Sequence, residues 1–138
     1  METNFNFKSS VCTSLVQSEH LLALGLKKET ADMCWTKVGT KSRTFYVPEL
    51  APINMVSWRH TPAWSLGRLI KDLMPQSIGH LELAVGSDYA GYYEDRCNSE
   101  SGMHWEYVEE TSDMFDNIIS TIEWLIKEGY FNKEYLEE

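Results

Sequence analysis

Between Ser112 and Gly129, apolar side chains stand at Met114, Phe115, Ile118, Ile119, Ile122, Leu125 and Ile126. Phe115, Ile118, Ile119, Ile122 and Ile126 keep the i, i+3, i+4, i+7 spacing that gathers side chains on one helical face. The spacing predicts an amphipathic helix that covers a core and stops at Lys127-Glu128-Gly129. Earlier in the chain, Ser14-Leu15-Val16-Gln17 fits a capping box. It opens a helix through Leu21, Leu22 and Leu24, which Gly25 ends in a left-handed conformation that costs a glycine little.

Two β-suited runs follow, Asp32 to Val38 and Arg43 to Val47, separated by Gly39-Thr40-Lys41-Ser42. That pattern predicts a hairpin. Pro48 and Pro52 interrupt the next stretch, so Glu49 to His60 reads as an irregular connection. Thr61-Pro62 supplies an N-cap with proline at the first helical position, and Leu66, Leu69, Ile70 and Leu73 continue as a helical stripe. Pro75 ends it, because the residue before proline is pushed out of the α region.

Leu81, Leu83 and Val85 alternate with Glu82 and Ala84, the period of a half-buried strand. Gly86-Ser87-Asp88 turns it into a strand from Tyr89 to Glu94. A further strand, His104 to Glu109, lies across the polar loop Asp95 to Gly102. The order αββα-βββα predicts one α+β domain over residues 1–138, an antiparallel sheet with about three helices packed on it. Residues 1–10 are expected to form a flexible N-terminus, and 132–138 a short terminal turn.

The total charge of −9 hides a division. Residues 1–71 carry +4 and residues 72–138 carry −13. An acidic total disfavours non-specific nucleic-acid binding, which needs a basic face to neutralise phosphates. The first half can still present one, where Lys27, Lys28, Lys37, Lys41 and Arg43 surround the first hairpin and mix with Trp35, Phe45 and Tyr46; charge and base stacking of that kind hold single strands. Ordinary surface solvation explains the same charges. The N-terminus lacks the apolar run of a secretory signal, and no stretch reaches the roughly 20 apolar residues of a membrane span. Cys12, Cys34 and Cys97 are odd in number and widely spaced, which points to reduced thiols in a cytoplasm.

Reactive residue types gather only around Asp88, Glu94, Asp95, Cys97 and His104. Pairing of the flanking strands would bring Asp95 and Cys97 near His104. Carboxylates with an imidazole suit a divalent metal, and a thiol beside an imidazole suits acyl transfer. Neither spacing matches an established motif, and an acidic solvated loop accounts for the same residues. His20, His60 and His80 stand apart in sequence and read as surface or boundary residues. No phosphate-binding glycine loop opens a helix, so no cofactor or metal is expected.

Trp64 is expected in the first turn of its helix, off the main stripe, and Trp124 beside the core stripe of the last helix. Both are candidates for an interface, together with Lys37, Lys41 and Arg43. Packing against neighbouring elements is the competing role for the two indoles.

The segments Thr61-Pro62-Ala63-Trp64-Ser65-Leu66-Gly67-Arg68-Leu69, Leu73-Met74-Pro75 and Ile122 through Leu136 resemble small uncharacterised proteins of gut anaerobic bacteria and their phages or prophages. The resemblance covers about half of the chain. It implies a mobile-element origin and transfers no catalytic residue. Together these features favour a non-enzymatic binding or regulatory protein that meets an unidentified host or phage protein, or a second copy of itself. A small hydrolase or metal-dependent enzyme centred on Asp95, Cys97 and His104 is the alternative, and single-strand binding by the first hairpin is another.

Overall fold

The computed structural model describes residues 10–96 and 102–138. The segment expected to be a flexible N-terminus lies, except for Ser10, outside them. Helix α1 spans Leu15–Ala23, and the capping box closes as its sequence implies. The Gln17 amide donates to Ser14 Oγ at 3.1 Å, and the Ser14 amide donates to Gln17 Oε1 at 2.9 Å. Gly25 adopts φ 104°, and the Leu26 amide returns to the Leu21 carbonyl at 3.2 Å.

Strands β1 (Met33–Thr40), β2 (Arg43–Leu50) and β3 (His60–Ala63) form an antiparallel sheet in the order β2-β1-β3. The hairpin is tighter than its sequence predicts. Gly39 and Thr40 pair with Thr44 and Arg43, which leaves Lys41-Ser42 as a two-residue turn. Pro48 does not interrupt β2, and Pro62 does not open a helix. The Lys37 amide donates to Arg59 O on the β3 side, and the Ala51 amide donates inward to Asp32 O. By alternation, the nitrogens of Pro48 and Pro62 face the outer edges of this sheet, where proline forfeits no ladder bond.

The second helix therefore starts later than expected. Thr61 pairs with Trp35 and Pro62 with Cys34, and Ser65 rather than Thr61 caps the helix, with Oγ accepting the Arg68 amide at 3.2 Å. A π-helical segment, Arg68–Leu73, follows and buries Leu69 and Leu73. It ends as Met74 turns extended ahead of Pro75.

Strands β4 (Ser77–Ile78), β5 (Leu81–Gly86), β6 (Tyr89–Arg96) and β7 (Gly102–Glu109) form an antiparallel sheet in sequence order. The short β4 was not legible in the sequence, and β6 and β7 extend into the expected polar loop. Helix α2, Met114–Glu128, packs on β6 and β7. It buries Phe115, Ile118, Ile119, Ile122 and Leu125 and ends at Gly129, φ 78°. Among the described residues, then, the strands make two sheets rather than the expected one, and the α+β class holds.

Leu21, Leu26, Trp64, Leu69, Leu73, Tyr92 and the buried face of α2 share one core. The C-terminal segment closes it, with the Lys27 amide on Tyr135 O at 2.8 Å and the Glu137 amide on Gly25 O at 2.7 Å. Among the described residues no helix is long and apolar enough to cross a membrane.

Candidate functional site

Alternation along β6 sends Ala90 and Tyr92 into the core and Tyr89 and Tyr93 to the opposite face. On β7 a bulge intervenes. Tyr92 pairs with Tyr107 but Tyr93 pairs with Trp105, so Glu106 is the additional residue and Trp105 faces away from Tyr107. The rings confirm the two sides. Trp105 meets Tyr89 and Tyr93 edge-on, at centroid distances of 5.9 and 5.8 Å, whereas Tyr107 stacks on Trp124 of α2 at 5.1 Å.

On the outer face these three rings border a groove of about 950 Å³, completed by Ala84, Asp88, Glu110, Thr111 and Ser112. Gly86 makes room for it. A Cβ there would lie 2.1 Å from Tyr89 Cε1, so the absence of a side chain lets the tyrosine ring settle against β5. Asp88 and Glu110 are exposed at the rim, and the Tyr93 hydroxyl donates to Glu82 Oε2 at 3.1 Å. Aromatic faces beside carboxylates attract a cation twice, through the ring quadrupole and through charge.

The inner aromatic layer is built differently. Trp124 touches Tyr92, Tyr107 and Tyr130, with its indole half-buried among them. The Tyr107 hydroxyl donates to Glu109 Oε2 at 3.2 Å. Burial first, then the carboxylates of Glu109 and Glu123, push the Tyr107 phenol up to about 12.

Cys97 lies outside the described residues, as does the tip of its hairpin. The Asp95 backbone pairs with Met103, and His104 pairs with Glu94 and is exposed. Trp64 is fully buried, its indole N–H donating to Thr30 Oγ1 at 3.0 Å, so it belongs to the core and not to an interface. The early strand β3 causes this, because it carries Trp64 past the sheet edge and inward. Trp124 keeps some exposed surface. Lys37, Lys41 and Arg43 are all exposed, yet Lys37 shares a face with Tyr46, Arg43 shares the other with Phe45, and Lys41 sits in the turn. Trp35 is tied down by its indole N–H, which donates to Thr13 O at 2.8 Å. Phe45 and Tyr46 remain 50% and 42% exposed, so the stacking platform of the first hairpin is reduced to two rings on opposite faces.

The groove was hidden because alternation alone puts Trp105 and Tyr107 on one side. The only signal in the sequence was the abundance of aromatics on the two strands beside an acidic turn. Among the described residues, the side chains that gather as a metal would require are Cys34, Glu49 and His60. They lie on the first sheet, far in sequence from the candidates at 95, 97 and 104. Comparison with protein-family models, curated proteins and solved structures finds no match for this chain.

Proposed function

We propose that this is a non-enzymatic binding protein of phage or prophage type, acting in a cytoplasm, which takes a basic segment of a host or phage protein into the groove on its second sheet. The observation that carries this reading is the placement of Tyr89, Tyr93 and Trp105 on the outer sheet face with Asp88 and Glu110 at their rim. A lysine or arginine entering there would lie against ring faces and near two carboxylates, and its aliphatic stem would cover apolar surface. The −13 charge of residues 72–138 would steer such a partner toward this half of the molecule. The buried free thiols of Cys12 and Cys34 suit a reducing compartment.

Titration with a fluorescein-labelled lysine-rich peptide, against the same peptide with acetylated lysines, tests the proposal. The charged peptide should bind more tightly, and added salt should weaken it. Trp105→Ala should reduce the affinity about two- to thirtyfold, the range of a cation–π contact, and Glu110→Gln should reduce its salt dependence. Equal binding of the charged and acetylated peptides, or unchanged affinity in both variants, would exclude the groove as a cation site.

A further inference from the structure

We infer that the first sheet carries a zinc-type metal site formed by Cys34, Glu49 and His60, one ligand from each of its three strands. The register brings them together. Cys34 of β1 pairs with Glu49 of β2, and Thr36, two residues along β1 on the same face, pairs with His60 of β3. Antiparallel partners project to the same side of a sheet, so all three side chains rise from one face. One ligand atom from each lies within 4.8 Å of the others.

The chemistry of the set is selective. Thiolate and imidazole favour zinc over magnesium or calcium, which take oxygen ligands, and a carboxylate is a regular third partner. A thiolate and a carboxylate together cancel the charge of a divalent cation, and the imidazole binds as a neutral ligand. The loaded site would therefore hold no net charge beside the fully buried Cys34. Three protein ligands leave a fourth tetrahedral position for water or an added ligand.

The surroundings also allow the proton to leave. The Thr36 hydroxyl donates to Glu49 Oε1, which directs the Cys34 thiol, 3.4 Å from Thr36 Oγ1, to act as the donor in that contact. Loading the site forms a sulfur–metal bond, and the thiol proton leaves to water, so that Glu49 stays a carboxylate ligand. Glu49 is exposed and His60 half-buried, so the ion can arrive from the solvent side although Cys34 itself is covered. His60 Nδ1 accepts the Val56 amide at 3.0 Å. Coordination at Nδ1 replaces that bond, and coordination at Nε2 moves the ring proton to Nδ1 and displaces the Val56 amide. Either route changes the environment of Val56.

Titration of the full chain with Co²⁺ and then Zn²⁺ tests the site. Cobalt should bind one ion per chain and give a thiolate-to-metal charge-transfer absorption, which zinc abolishes, with release of a proton and a shift of the Val56 amide resonance. Cys12→Ser and Cys97→Ser should keep the absorption, and Cys34→Ser should lose it. Glu49→Gln retains an oxygen acceptor for Thr36, so it tests coordination with the fold preserved. That variant and His60→Gln should each weaken binding at least about tenfold. No cobalt binding, an absorption that survives Cys34→Ser, or unchanged affinity in both Glu49→Gln and His60→Gln would each overturn the site.

Discussion

The Trp64 indole N–H donates to the Thr30 hydroxyl at 3.0 Å, and that hydroxyl in turn donates to the Lys27 carbonyl at 2.6 Å. The largest fully buried side chain is thus held by the short turn between α1 and the first sheet. Its role is structural. Trp64→Ala should cost about 3–5 kcal/mol, the usual penalty for removing a buried aromatic side chain. Trp64→Phe should cost less, losing a hydrogen bond worth about 1 kcal/mol and part of the packing. Urea denaturation measures both, and a loss below about 0.5 kcal/mol in Trp64→Ala would return the indole to the surface.

Ile122 is fully buried on the α2 face that the sequence predicts. Ile122→Ala should destabilise by about 2–5 kcal/mol. Ile126, half-buried on the same stripe, should cost less when shortened to alanine. Equal losses at the two positions in chemical denaturation would show that the stripe is buried evenly and that the sheet covers more of α2 than its burial pattern indicates.

Alkaline pH should loosen the fold. Burial first, then the charges of Asp32 and Cys34, raise the Cys12 thiol from 9.0 to about 11, and Tyr107 rises from 10.0 to about 12. In both cases the folded state favours the neutral, protonated form. The stability tied to them is complete below the unfolded values and is lost as pH climbs through the folded ones, a window from about 9 to 12. The Cys12 contribution is roughly 2–3 kcal/mol across that window. Urea midpoints taken from pH 7 to 11 should fall above pH 9, and Cys12→Ala should fall less steeply. Parallel curves for the two proteins would remove Cys12 from the account.

The first hairpin provides a basic segment within the chain itself. Lys41 and Arg43 stand exposed at its tip beside the half-exposed Phe45, and if the groove takes basic segments as proposed, they would complement that of a second copy. Such a contact joins unlike surfaces and propagates head to tail unless it closes into a ring. Sedimentation should detect association at 0.1 M salt that weakens at 1 M, as the Debye length falls from about 10 to about 3 Å. Lys41→Glu with Arg43→Glu should abolish it. A monomer at every concentration and salt would reserve the groove for a partner other than this chain.

Much of the local structure was legible because short-range physics decides it. Ser14 and Gln17 are three residues apart and cap each other wherever α1 is placed. The α2 stripe marks a buried face through its period alone, and Gly25 and Gly129 stop helices because a left-handed backbone suits glycine. The strands at Leu81, Tyr89 and His104 follow from alternation and turn residues. These features fixed the α+β class.

Long-range pairing decided the rest. Thr61-Pro62 satisfies the local rules for a helix start as well as those for an edge strand, and only the partnership with Trp35 and Cys34 selects the strand. That choice buries Trp64 and makes Ser65 the cap. Trp105 and Tyr107 are two residues apart and should share a face, yet the bulge opposite Tyr92 and Tyr93 separates them and creates the groove. Cys34, Glu49 and His60 have no motif spacing, because their proximity runs across hydrogen-bonded strands and not along the chain. Short-range signals alone placed α1, α2 and most of the strands, since each depends on neighbours within a few residues. Which side chains share a surface was settled across the sheet, because strand register and a single inserted residue set that relation between segments distant in the chain.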